Sequence, residues 1–160
     1  MKDKLIFRHY VVRGINAAPW IKTWNNLKDF VKDNSEQFLL MGLELELQQI
    51  ELKEQSEENL KRGNMLIIAS PRLMKGEEKI EDVLTMSLCF TRCNGCLTPK
   101  GDKFLCRTLK GFDGTEYQIL TEELFLDVSL RIAFNLNVAK VTECTDCSKC
   151  RRGCNFNDEE

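Results

Sequence analysis

At 160 residues and 42% hydrophobic content, the chain fits one domain or two small lobes and excludes wholesale disorder. Its 23 Lys and Arg against 25 Asp and Glu leave a formal charge of −2, which argues against a generic nucleic-acid binder, because those concentrate basic charge on one face. The balance is uneven: residues 1–34 carry seven bases and three acids, and residues 35–62 carry seven acids and three bases.

Leu5 to Val12 is rich in β-branched and aromatic residues and reads as a strand, closed by Gly14 and Asn16. Pro19 opens a helix, where its missing N–H costs little. Trp20, Trp24, Leu27 and Val31 recur at helical spacing, with Ile21 and Phe30 beside them, which predicts about four amphipathic turns. Leu39, Met41, Leu43, Leu45 and Leu47 then alternate with polar residues. That period predicts a strand over residues 38–53, with a register shift near Gln48 and Gln49. Residues 54–63 are charged and read as a loop or a short exposed turn of helix. Met65 to Ala69 reads as a strand, and Ile80, Val83, Leu84 and Leu88 as a helix. Residues 1–88 thus read β-α-β-β-α, most of a ferredoxin-like sandwich in which two helices cover an antiparallel sheet.

The second half reads as mostly β. Phe104 to Leu109 is strand-like, Asp113-Gly114 marks a hairpin, and Tyr117 to Leu120 returns. Leu126, Val128, Leu130, Ile132, Phe134, Leu136 and Val138 alternate, which favours a long strand over a helix begun at Thr121-Glu122-Glu123. No internal repeat or low-complexity tract is present. Asn155 to Glu160 is polar and reads as a flexible tail.

The chemistry lies in the cysteines. None occurs in the first 88 residues. Cys89, Cys93, Cys96 and Cys106 form one cluster, and Cys144, Cys147, Cys150 and Cys154 a second, spaced C-x2-C-x2-C-x3-C. Closely spaced thiolates on a turn grip a metal ion. The N-terminus carries no secretory h-region and no apolar run approaches the ~20 residues that span a bilayer. The expected setting is therefore cytoplasmic or nuclear and reducing, without a membrane partner, where clustered cysteines are metal ligands sooner than disulfides. Two structural zinc ions fit best. Each cluster can hold one, or Cys93 and Cys96 can join Cys144 and Cys147 across 47 residues; the spacing does not choose. Zinc held by four cysteines leaves no open position for a substrate. On this reading residues 89–154 are a metal-stabilised β lobe set against an α+β lobe, residues 1–88.

Two iron–sulfur readings compete. The second cluster resembles the run of bacterial-type ferredoxins, although Asn155 stands where a Pro usually follows and the first cluster is spaced differently. Cys89, Cys93 and Cys96 resemble the C-x3-C-x2-C motif of radical S-adenosylmethionine enzymes. Gly95 replaces the usual aromatic residue, and the 64 residues after Cys96 are too few for the barrel those enzymes need. Catalysis without the cysteines lacks support. His9 is the sole histidine and sits in a predicted strand, as a structural histidine does. There is no Gly-rich phosphate loop, no H-E-x-x-H and no G-x-S-x-G.

Basic residues gather near the cysteines: Lys100, Lys103 and Arg107 by the first cluster, Lys149, Arg151 and Arg152 within the second. Charge compensation of the thiolates accounts for most of this, and the remainder supports RNA or DNA binding as an alternative. The overall plan is similar to small viral regulatory proteins that use zinc to hold host-binding surfaces, a likeness of size and composition. Together these features predict a non-catalytic, zinc-stabilised adaptor or regulator that binds a cellular or host protein. Trp20, Trp24 and Phe30 are the candidate contact face. Iron–sulfur electron transfer is a further alternative, and the alternating strand near residues 39–47 is a candidate edge for self-association.

Overall fold

The computed structural model describes residues 2–134, with the side chains of 93–95 left aside. Strand β1 (Asp3–Val12) leads into α1 (Ala18–Leu40), which returns the chain to β2 (Leu43–Leu52). The 23 residues of α1 span roughly 35 Å, close to the roughly 33 Å of a ten-residue strand. That match lets β2 lie beside β1 and parallel to it, paired from Asp3↔Leu43 to Val12↔Leu52 without a break. Parallel neighbours need such a crossover. After α2 (Glu57–Arg62), β3 (Leu66–Ala69) pairs antiparallel with the other edge of β1, and β4 (Glu77–Lys79) with β3. The sheet order is β2-β1-β3-β4. Short α3 (Ile80–Val83) leads to a second sheet, β5 (Ser87–Leu97), β6 (Lys103–Lys110) and β7 (Glu116–Tyr117), and α4 (Glu122–Ala133) follows.

The fold is mixed α+β, with two sheets and four helices among the described residues. It departs from the ferredoxin-like expectation in the first sheet, which is not wholly antiparallel, because the α1 crossover sets β2 directly beside β1. The alternation that predicts a strand from residue 38 is overridden by Phe38. That ring continues the buried stripe Trp20, Thr23, Leu27 and Phe30, so the chain stays helical to Leu40. Gly42, at φ +84°, then supplies the left-handed turn that stops it. The register shift predicted at Gln48 and Gln49 is absent, since Gln48 accepts from Arg8 and Gln49 reaches His9 within the regular ladder. The helix predicted through Leu88 ends at Val83, and Leu88 lies in β5.

The largest correction concerns residues 126–133, where alternation predicts a strand and the structure has α4 (Glu122–Ala133). Phe125, Val128, Ser129 and Ile132 form its buried stripe, a 3.6-residue period. Glu122 and Glu123 in the first turn and Arg131 in the last complement the helix dipole. Residues 135–138 of the predicted strand lie outside the described residues. Phe125 meets Phe7 and Phe30 edge-on, with ring centroids 6.0 and 5.9 Å away. Its cluster joins Leu5, Phe7, Leu27 and Leu43 to Leu109, Leu120, Val128 and Ile132, so residues from both expected lobes share one core. Among the described residues, no helix is long and apolar enough to cross a membrane.

Candidate functional site

The first cysteine cluster lies entirely on the β5–β6 hairpin. The two strands pair in register from Ser87↔Lys110 to Arg92↔Leu105, and the ladder then slips before Leu97↔Lys103. Cys93 and Cys96 fall in that irregular stretch. Extra residues on one strand bend it and break the pairing, and Cys96 is bonded here to Cys106, ten residues on, with their Cα atoms 6.7 Å apart. Both cysteines are buried. Cys89 is a free, half-buried thiol that donates to the Thr108 carbonyl at 3.6 Å.

The disulfide packs against the carboxyl ends of the two parallel strands. Its apolar cluster contains Val12, Ile15, Ala17 and Trp20, with Leu52, Leu60 and Phe104 at its margin. Ala17 is the N-cap of α1, gives no side-chain hydrogen bond, and no acid occupies the first turn. The positive end of a long helix thus stands uncompensated in the cluster that holds the sulfurs. Trp20 is only 2% exposed. It fits because Gly63 has no Cβ: one placed there would lie 2.0 Å from the indole. The Phe104 ring stands 5.8 Å from the indole on β6, beside Cys106.

A chain of polar contacts ties the hairpin to the first sheet. The Gln49 amide donates to His9 Nδ1 at 3.4 Å, which leaves the ring proton on Nε2, 2.8 Å from Asn64 Oδ1. Asn64 Nδ2 donates to the Gln118 carbonyl at 2.7 Å, and Gln118 Nε2 donates to Thr91 Oγ1 at 2.8 Å. Thr91 and Thr108 hydroxyls are 2.6 Å apart, and Thr108 donates to the Cys106 carbonyl at 3.3 Å. With Thr91 donating to Thr108, every donor points from β2 toward the cysteine strand. His9 is fully buried and stacked on Trp24. Burial pushes its pKa from 6.5 down to about 4, against the Asn64 hydrogen bond, so the ring is neutral at pH 7. The sole histidine is a satisfied structural residue, as its place in a strand implied. The other members of this chain of contacts, Gln49, Asn64, Gln118, Thr91 and Thr108, carry no motif. Only Asn64, at φ +70°, belongs to a residue type that tolerates that conformation.

Other predicted site residues separate. Trp20 and Phe30 are buried and Trp24 packs partly against the core, so the helical face proposed for a partner meets the chain's own sheet instead. Arg107 does not face solvent: it forms a buried ion pair with Glu81 of α3, and burial draws its pKa below the usual range while Glu81 opposes that. Arg107, read from the sequence as a candidate nucleic-acid contact, is thus paired and covered rather than presented at the surface. Lys100 and Lys103 are exposed. Cys144, Cys147, Cys150 and Cys154, with Lys149, Arg151 and Arg152, lie outside the described residues. Among the described residues no group of three or more His, Cys, Asp and Glu side chains is placed to hold a metal ion.

A family model described as a domain of unknown function, DUF2703, matches residues 4–129, from β1 into α4. The chain belongs to the DUF2703 family. The DUF2703 match includes Cys89, Cys93, Cys96 and Cys106 and ends before the second cysteine cluster. Beyond DUF2703, no curated protein and no solved structure matches the chain.

Proposed function

We propose that the chain is a thiol–disulfide redox protein whose working group is the Cys96–Cys106 couple. One observation carries this: the hairpin brings these two sulfurs together at the carboxyl ends of the parallel strands and in the cluster of the first turn of α1. Open α/β sheets place their sites outside the carboxyl ends of strands, and a helix N-terminus favours a thiolate over a thiol. We read the order β2-β1-β3-β4, with β1 and β2 parallel and β3 and β4 antiparallel, as a thioredoxin-like sheet. A C-x2-C pair beside a β-α-β unit is the association such redox proteins use. Here Cys96 and Cys106 reach the unit from the hairpin, while the segment before α1, Asn16-Ala17-Ala18-Pro19, holds no cysteine.

In exchange, the two thiols of an external dithiol become one disulfide, the Cys96–Cys106 bond breaks, and Cys96 and Cys106 take up the two hydrogens. The test is equilibration of the folded protein in graded glutathione buffers, followed by alkylation and peptide mass mapping. A midpoint above about −300 mV supports the reading, since structural disulfides lie below that value. A pair that stays fully oxidised across the series overturns it.

A second reading keeps the zinc-stabilised binding module. Its support is the C-x2-C spacing of Cys93 and Cys96 in the strand irregularity, with Cys106 already joined to Cys96. Once reduced, those three and one further cysteine make a tetrahedral donor set. Its partner surface would exclude Trp20 and Phe30, which the core occupies. Zinc analysis of anaerobically reduced protein decides: about one or two ions per chain supports this reading, and metal-free folded protein removes it.

A further inference from the structure

We propose that Trp20 is a positioning residue for the hairpin couple, its indole N–H donating to a cysteine sulfur once the Cys96–Cys106 bond is reduced. This rests on the thiol–disulfide reading. The starting observation is that Trp20 Nε1 is buried and has no hydrogen-bond partner among the described residues. Unmet buried donors are rare and costly, and redox or catalytic work is one reason they persist. An indole has a donor and no acceptor, so only an acceptor can satisfy it.

The buried apolar residues clustered with Trp20 are Val12, Ile15, Ala17, Cys96 and Cys106. Among these apolar neighbours, the Cys96 and Cys106 sulfurs are the side-chain atoms able to accept a hydrogen bond. A disulfide sulfur accepts weakly, whereas a thiolate accepts a charge-assisted hydrogen bond. The ring itself is held, with Gly63 against one edge and Phe104 5.8 Å away. The acceptor therefore comes to the donor, when reduction frees the sulfurs to part.

The step balances. An external dithiol loses two hydrogens and closes to a disulfide, the Cys96–Cys106 bond opens to two thiols, and one thiol then releases its proton to solvent. Trp20 keeps its proton throughout and stabilises the resulting thiolate.

The experiment follows the indole N–H resonance of 15N-labelled full-length protein through reduction by dithiothreitol. A Trp24→Phe variant leaves Trp20 as the sole indole. Alkylation mapped to Cys96 and Cys106 reports whether the bond has opened. The expected result is a downfield shift of the Trp20 N–H that remains protected from solvent exchange. A parallel Trp20→Phe variant is expected to move the midpoint of the pH-dependent alkylation rate upward by about one pH unit. Loosened packing alone would raise the rates at every pH and leave that midpoint in place. Should Trp20→Phe fail to fold, the indole resonance decides alone. An unmoved resonance in a sample whose Cys96 and Cys106 are demonstrably reduced overturns this inference and leaves the exchange reading intact. A bond that dithiothreitol cannot open in the folded protein overturns both.

Discussion

His9 carries the clearest pH dependence at the scale of single residues. Its folded pKa of about 4 lies below the 6.5 of an unperturbed imidazole, because burial disfavours the cation. The unfolded chain therefore binds a proton that the folded chain refuses between those values. The His9 contribution to stability is complete above pH 6.5 and is lost as pH falls toward 4. The gap corresponds to about 3 kcal/mol. Urea unfolding at pH 7, 5 and 4 should show that loss, and His9→Gln, which cannot titrate, should flatten it relative to the parent. An identical pH slope in the variant would place the acid lability elsewhere. Much of this was legible: a lone histidine in an apolar strand reads as structural. The partners were not, because Gln49 and Asn64 lie 40 and 55 residues away in sequence and meet His9 only in the assembled fold.

At the scale of elements, α4 shows how two periods can share one segment. Leu126, Val128, Leu130 and Ile132 satisfy a strand, while Phe125, Val128, Ser129 and Ile132 satisfy a helix. The Thr121-Glu122-Glu123 start and Phe125, which has a place only in the helical stripe, decide the competition. The two elements predict different mutational patterns. A strand buries Leu126 and Val128 on one face; α4 leaves Leu126 39% exposed and Val128 fully buried. Val128→Ser should cost about 2–4 kcal/mol, and Leu126→Ser about 1 kcal/mol or less. Thermal or chemical melts of both variants check this, and equal losses would contradict the helix. The hairpin poses a milder version of the same problem. Its second strand was legible from composition, but β5, whose Leu88 was expected in a helix, and the slip after Arg92 that accompanies the Cys96–Cys106 pairing were not.

Across the whole molecule, the two halves are held by contacts of high sequence separation. Glu81 and Arg107 form a buried ion pair between α3 and β6, and the second carboxylate oxygen of Glu81 has no partner among the described residues. Such a pair contributes little net stability, yet removing one member strands a buried charge. Arg107→Met should cost about 3–5 kcal/mol, and the double variant Glu81→Leu with Arg107→Met should recover most of that. A double-mutant cycle measures the difference, and a double variant as unstable as the single one would refute the argument. Neither residue is marked in the sequence as one of a pair. Arg107 reads there as one basic residue among several near the cysteines.

The sequence by itself determined most strands, the position of the first helix and the structural histidine, because each is written in local period, turn residues or spacing. Tertiary structure alone decided which cysteines meet, that β2 lies parallel to β1, that Trp20 and Phe30 face inward, and that α4 is a helix. The physical reason is common to all four. Local pattern states how apolar a face is, but what covers that face depends on residues far away in the chain. Phe125 reaches Phe7 and Phe30 across about 100 residues, and only the assembled core made helix, face and pairing unambiguous.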